Sequence, residues 1–199
     1  MVKFGLIRHA RTRWNLEKKI QGKTNMPLSP EGIKEAGRWG EILCKENYCL
    51  ILASPMIRTE QTSVIISHKI NVDIEFDQNL REQDFGGWEG RRIADIRKKA
   101  PGEIEFQESR GWKFCPPGGE SRIKVLKRVS HAIKQAAKKF DKKNVLVVTH
   151  NSVIKTLIYK TLERAFTSDE EPLLEDYHLH ELLWDGKLQI GKLNSIKLL

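Results

Sequence analysis

Cysteine is scarce in this sequence of 199 residues: Cys44, Cys49 and Cys115 are all it has. They are odd in number, show no CxxC spacing and sit far from paired histidines, which argues against a disulfide framework and a zinc site. Long apolar runs are missing as well. No stretch approaches the roughly 20 residues a membrane-crossing helix needs, so no membrane partner is expected. The opening residues, MVKFGLIRHA, contain one short apolar run that meets a charged pair. They lack the longer apolar core and small-residue cleavage site of an export signal, and a cytoplasmic location is the expectation. Internal repeats, linkers and low-complexity tracts are absent, so residues 1–199 are expected to form one domain.

Charge, by contrast, is plentiful. Charged residues make up 31% of the chain and hydrophobic ones 39%, with a formal net charge of +9 at pH 7. Such a balance favours anionic partners, either a small phosphorylated molecule or a nucleic-acid backbone. The basic clusters (Lys18-Lys19, Arg91-Arg92, Arg97-Lys98-Lys99, Lys138-Lys139, Lys142-Lys143) are scattered among acids and apolar residues. They read as solvated helix faces, and no nucleic-acid partner is expected.

Hydrophobic periodicity alternates between strand and helix. Residues 3–7 (KFGLI), Leu50–Ala53 and Val145–Thr149 read as short buried strands, and Val72–Phe76 alternates like an edge strand. Between them lie helical stripes. One follows Ser29, with Ile33, Ala36, Trp39, Ile42 and Leu43; another runs from Ile123 through Val125, Leu126, Val129, Ile133, Ala136 and Ala137; and Val153, Ile154, Leu157 and Ile158 form a third. The tail, with Asp185-Gly186 and Gly191 as turns, reads as closing strands. The expected fold class is α/β: a three-layer sandwich with a mostly parallel central sheet and helices on both faces.

Chemistry-bearing residues recur where strands end. Arg8 and His9 follow the first strand, with Thr12 and Asn15 shortly after. Ser54, Pro55 and Arg58 follow the second, and His150 ends the strand VLVVT, followed by Asn151. In open α/β sheets ligands collect at strand carboxyl ends, where helix N-termini converge. Glu82 stands in a loop with Gly86, Gly87 and Gly90. Taken singly, each group has a plain structural explanation: a surface arginine, a solvated acid, a histidine satisfied in the core.

Together the segments resemble the histidine phosphatase superfamily, the phosphoglycerate-mutase-like group. Its pattern runs Arg-His-Gly-x-Thr-x-x-Asn, Ser-Pro-x-x-Arg-x-x-x-Thr, Leu-x-Glu, then a strand ending in Thr/Ser-His-Gly. Here these appear as Arg8–Asn15, Ser54–Thr62, Leu80–Glu82 and Thr149-His150, in the same order. The likeness extends to Gln21-Gly22, Pro27–Gly32, Gly86–Gly90 and Pro117–Ser121, segments similar to the phosphatase branch, which includes α-ribazole and broad-specificity phosphatases.

The resemblance implies a phosphomonoesterase that hydrolyses small phosphorylated metabolites through a phosphohistidine on His9, with no metal or other cofactor. It makes Glu82 the proton donor, with its pKa raised by burial, and Arg8, Arg58 and His150 ligands of the phosphoryl group, His150 best as the imidazolium. Thr12, Asn15, Gln21, Gly22 and Asn151 are further substrate-binding candidates. A phosphoglycerate-mutase-type phosphotransferase and a catalytically idle phospho-ligand binder are the alternatives, and the assembly is expected to be a monomer or homodimer. Trp88, Phe106, Trp112 and Phe114 are read either as the leaving-group pocket or as packing residues. Ala10 replaces the usual glycine, which is harmless if its φ is negative, and Asn151-Ser152 replaces a small, often glycine-containing pair.

Overall fold

Strand residues that alternate between two apolar faces need a helical layer on each side, and the computed structural model, which describes residues 1–199, has both. The strands are β1 (Val2–Arg8), β2 (Leu50–Ala53), β3 (Ile74–Phe76), β4 (Asn144–Thr149), β5 (His178–Trp184), β6 (Leu188–Ile190) and β7 (Ile196–Lys197). The helices are α1 (Arg13–Leu16), α2 (Pro30–Leu43), α3 (Ile57–Ile70), α4 (Ile93–Lys99), α5 (Glu103–Ser109), α6 (Arg122–Lys139) and α7 (Asn151–Thr161).

The sheet order is β3-β2-β4-β1-β5-β6, with β7 beside β5. The first four strands of that order are mutually parallel, whereas β5 runs antiparallel to β1 and pairs antiparallel with β6 and β7. On one face Phe4, Leu6, Leu52, Val145 and Val147 pack with Val129 and Ile133 of α6 and Leu157 and Ile158 of α7. On the other, Ile7, Ile51, Leu146 and Val148 meet Ala36, Trp39 and Leu43 of α2 and Ile66 of α3. Because β4 lies between β2 and β1 and is covered on both sides, it reads as an unbroken apolar run rather than an alternating one.

Local chemistry sets the helix starts. Ser29 caps α2 by accepting from Gly32 N at 3.1 Å, with Pro30 in the first turn, and Ser121 caps α6 by accepting from Lys124 N at 3.3 Å. The expected apolar stripes are corrected at two positions: Ile33 and Ile123 are exposed (49% and 50%). In α2 the buried face instead runs through Gly32, Glu35, Ala36, Trp39, Gly40 and Leu43. Glu35 is tolerated there because the Arg11 guanidinium pairs with it, and Gly40 lets Lys69 of α3 pack against the helix backbone.

Register places the functional loops. Arg8 pairs with Thr149, and Ala53 with Val148, so the chain leaves β1, β2 and β4 at one edge of the sheet. Between β3 and α6 the short helices α4 and α5 and their flanking turns build a small separate core of Trp88, Ile96, Ile104 and Phe114. This core overhangs that edge and closes a cavity.

Candidate functional site

The cavity encloses about 370 Å³. Arg8, His9, Asn15, Gln21, Gly22, Arg58, Glu82 and Asn151 all line it, drawn together from β1, α1, α3, α7 and three loops.

His9 is buried, and its two ring nitrogens have different partners. Nδ1 lies 2.8 Å from the Ala10 carbonyl, which can only accept, while Nε2 receives the Arg58 Nε–H at 3.2 Å. The proton is therefore on Nδ1 and the lone pair on Nε2. Burial, with Arg58 and Arg8 adding like-charge repulsion, holds the ring well below the usual histidine pKa, so it is neutral.

Arg58 is fully buried on the first turn of α3. It donates from its two terminal nitrogens to the Thr24 and Gly22 carbonyls at 2.9 and 2.8 Å. The guanidinium thus shapes the 22–24 loop as well as facing His9. Gly22 turns there with φ +54°, and a side chain at this position would strike Glu89. Burial brings the Arg58 pKa down to about 10, with Glu82 opposing. Arg8 has its Nε buried without a protein partner, one terminal nitrogen 3.8 Å from Asp176, and its guanidinium over the Tyr177 ring.

Glu82 is partly buried, and desolvation raises its pKa despite the pull of Arg58, the Gln83 N–H (2.8 Å) and Arg8. Its loop is clamped from α6. Arg128 donates to the carbonyls of Asn79 (2.7 Å), Arg81 (2.6 Å) and Glu82 (3.1 Å) while pairing with Glu120. From β4, Thr149 donates to the Leu80 carbonyl at 2.7 Å.

Two expected residues sit behind the wall. Thr12 is buried as the cap of α1, its N–H and hydroxyl held by Asn15 Oδ1 at 2.9 and 3.0 Å, and so positions Asn15. His150 is buried, with its ring centroid 5.4 Å from that of His9 and its Nε2 2.9 Å from Ser54 Oγ; its Nδ1 has no partner. Burial and the nearby Arg58 hold its pKa well below 6.5, which favours a neutral ring while no anion is bound. Asn151, Ser152 and the N-terminus of α7 also border the cavity.

Ala10 is absent from the positive-φ residues, so its methyl group carries no backbone strain, and its N–H donates to Thr62 Oγ1 at 3.1 Å. Of the four aromatic candidates, Trp88 and Phe114 line the cavity, joined by Phe85 and Phe166. Phe106 is exposed, and Trp112 meets Phe166 edge-to-face instead. Lys19, read as part of a solvated cluster, also borders the cavity while pairing with Glu17. Gln83, Arg122 and Lys155 went unremarked in the sequence because no local pattern separates them from ordinary helix and loop residues. Ser54 and Glu120 at least lay inside the quoted motifs. No group of three or more His, Cys, Asp or Glu side chains gathers in a way that would hold a metal ion, and no helix is long and apolar enough to cross a membrane.

A sheet edge of this topology, with two histidines and two arginines gathered on it, is an arrangement for handling phosphoryl groups. The chain belongs to the histidine phosphatase superfamily (branch 1), whose family model matches residues 4–192. A Salmonella choleraesuis protein described as a probable phosphoglycerate mutase, GpmB, is 31% identical over 158 residues, 79% of this chain and 74% of that protein. The structure of Bacillus stearothermophilus YhfR superposes with a TM-score of 0.87 at 26% identity, covering 100% of this chain and 99% of the other. Phosphoserine phosphatase of Entamoeba histolytica, solved with phosphoserine, superposes with a TM-score of 0.80 at 29% identity over 98% of both chains.

Proposed function

We propose that this member of the family hydrolyses small phosphomonoesters through a phosphohistidine on His9. One observation carries the reading: a buried, neutral imidazole whose Nε2 lone pair is turned toward Arg58 at the cavity wall. Nothing but a guanidinium occupies that lone pair, and an arriving phosphoryl group offers the guanidinium a better acceptor.

In the first step Nε2 attacks phosphorus, the ester P–O bond breaks, and Glu82 protonates the departing alkoxide. In the second, water gives its proton to the Glu82 carboxylate and displaces phosphate from Nε2. Charge on the transferring group is spread over its oxygens, which Arg8, Arg58 and the N-terminus of α7 are arranged to receive. Gln21 and Asn15 through their amide N–H groups, with Asn151, complete the cradle. His150 remains neutral until a bound phosphoryl group supplies compensating negative charge, and then adds a donor. The likeness to a phosphoserine phosphatase supports hydrolysis, and the likeness to GpmB keeps a mutase as the second reading.

Phosphate release measured on a panel of phosphosugars, phosphoglycerates, nucleotides, α-ribazole phosphate and phosphoserine tests the reaction. Quenching with labelled substrate is expected to trap an acid-labile phosphoenzyme in wild type and none in His9→Ala. Undiminished label in the variant rejects the nucleophile, and exchange of phosphate between glycerate hydroxyls without net release selects the mutase. Binding with neither reaction leaves an idle phospho-ligand binder.

A further inference from the structure

The phosphoryl chemistry leaves two cations in the same cavity without a task. Lys155 lies on α7 one turn beyond Asn151, about 6 Å along the helix axis at 1.5 Å per residue. It is only partly exposed, and its ammonium makes no hydrogen bond or ion pair with any protein group, which is unusual for a lysine facing a pocket. Arg122 lines the same cavity, held between the rings of Phe114 and Phe166 at 4.2 and 3.8 Å. One of its terminal nitrogens donates to the Gly111 and Phe166 carbonyls, and the rest of the fork is free. Burial, with Arg122 and Arg8 adding repulsion, presses the Lys155 pKa downward against the pull of Asp176 and Glu108. Neither acid closes an ion pair with it: Asp176 leans toward Arg8, and Glu108 pairs with nothing.

The same cavity has an apolar lining that includes Trp88, Ile104 and Phe114. Such a cavity offers, beside the phosphoryl-binding groups, a second pair of cations and an apolar surface for a leaving group. Counting Lys155 and Arg122 against Glu108, this second group carries one net positive charge, which matches a carboxylate better than a second phosphate.

Resting on the phosphatase reading above, we propose that the substrate's leaving group bears a carboxylate, received by Lys155 and Arg122, with Lys155 as the specificity-determining residue. A neutral leaving group would leave that ammonium desolvated and unpaired, so discrimination comes from the cost of an unmatched charge.

The test compares para-carboxyphenyl phosphate with its neutral isostere para-carbamoylphenyl phosphate, by kcat/KM in wild type, Lys155→Met and Lys155→Arg, and by calorimetric Kd in His9→Ala. Wild type is expected to favour the carboxylate by at least about tenfold, in line with the loss of one partner from a desolvated pair. Lys155→Met is expected to bring the ratio near unity and Lys155→Arg to keep most of it. Taking the ratio between enzymes cancels the difference in leaving-group acidity. A wild-type ratio of one, a ratio untouched by Lys155→Met, a preference for para-phenylene bisphosphate, or no Kd difference in His9→Ala overturns the proposal, while hydrolysis itself would still stand. A Kd preference without turnover of either ester instead keeps the carboxylate site and defeats the phosphatase reading.

Discussion

The two ends of the cavity are built from different material. At the inner end His9, Arg58 and His150 are buried at strand and helix termini, and each is tied to backbone or side chains of the sheet layers. At the outer end Trp88, Ile104 and Phe114 come from short helices and turns that share a small core of their own. A rigid sheet edge suits a reaction that needs atoms held within fractions of an ångström, and a cap with a core of its own suits a choice among leaving groups. The contrast predicts that inner-end variants damage kcat and outer-end variants damage selectivity.

His9→Ala is the severest way to break that division. Its kcat for phosphate release is expected to fall by at least about a thousandfold, the scale of losing a covalent nucleophile. Arg58→Lys follows with a fall of about a hundredfold, because an ammonium cannot span His9, Gly22 and Thr24 as the guanidinium fork does. Steady-state rates on phenyl phosphate measure both.

Glu82→Gln is expected to cost about a hundredfold with alkyl esters and much less with para-nitrophenyl phosphate, whose leaving group needs no proton. The pH profile sharpens this. Glu82 acts protonated and its pKa is raised, so wild-type activity falls as pH rises through that raised value. His9 acts neutral and its pKa is lowered, so activity falls on the acid side only well below 6.5. Loss of the alkaline limb in Glu82→Gln, with the acid limb kept, is the expected outcome.

Phe114→Ala tests the outer end. It is expected to raise KM about tenfold with kcat within a few-fold, and to destabilise by about 3 kcal/mol from the cavity left in the small core. A kcat loss as large as that of Arg58→Lys would erase the distinction between the ends. The smallest effect belongs to Ala10→Gly: about 0.5–1 kcal/mol less stable in a thermal melt and no faster, since Ala10 needs no positive φ.

Much of the layered fold was readable because strand and helix periods differ and the strands are short apolar runs between clear punctuation. The misreading at Ile33 reflects a partner that a stripe of fixed spacing cannot foresee: Arg11, 24 residues away in the sequence, pairs with Glu35 and lets that acid take a buried place on α2. In the pocket, residues carried by motifs were visible in the chain. Arg128 gave no local sign, since its partners are the carbonyls of Asn79, Arg81 and Glu82 and the Glu120 carboxylate. Lys155 and Arg122 were equally silent.

By itself, the sequence determined the succession of elements, the family and which polar groups stand at strand ends, because these follow from spacing along the chain. The tertiary structure alone decided which nitrogen of His9 is free, that His150 lies neutral behind the wall, and which lysine among many faces a cavity. Those are properties of burial and of partners distant in sequence, and they come into being only when parallel strands bring remote segments to one edge.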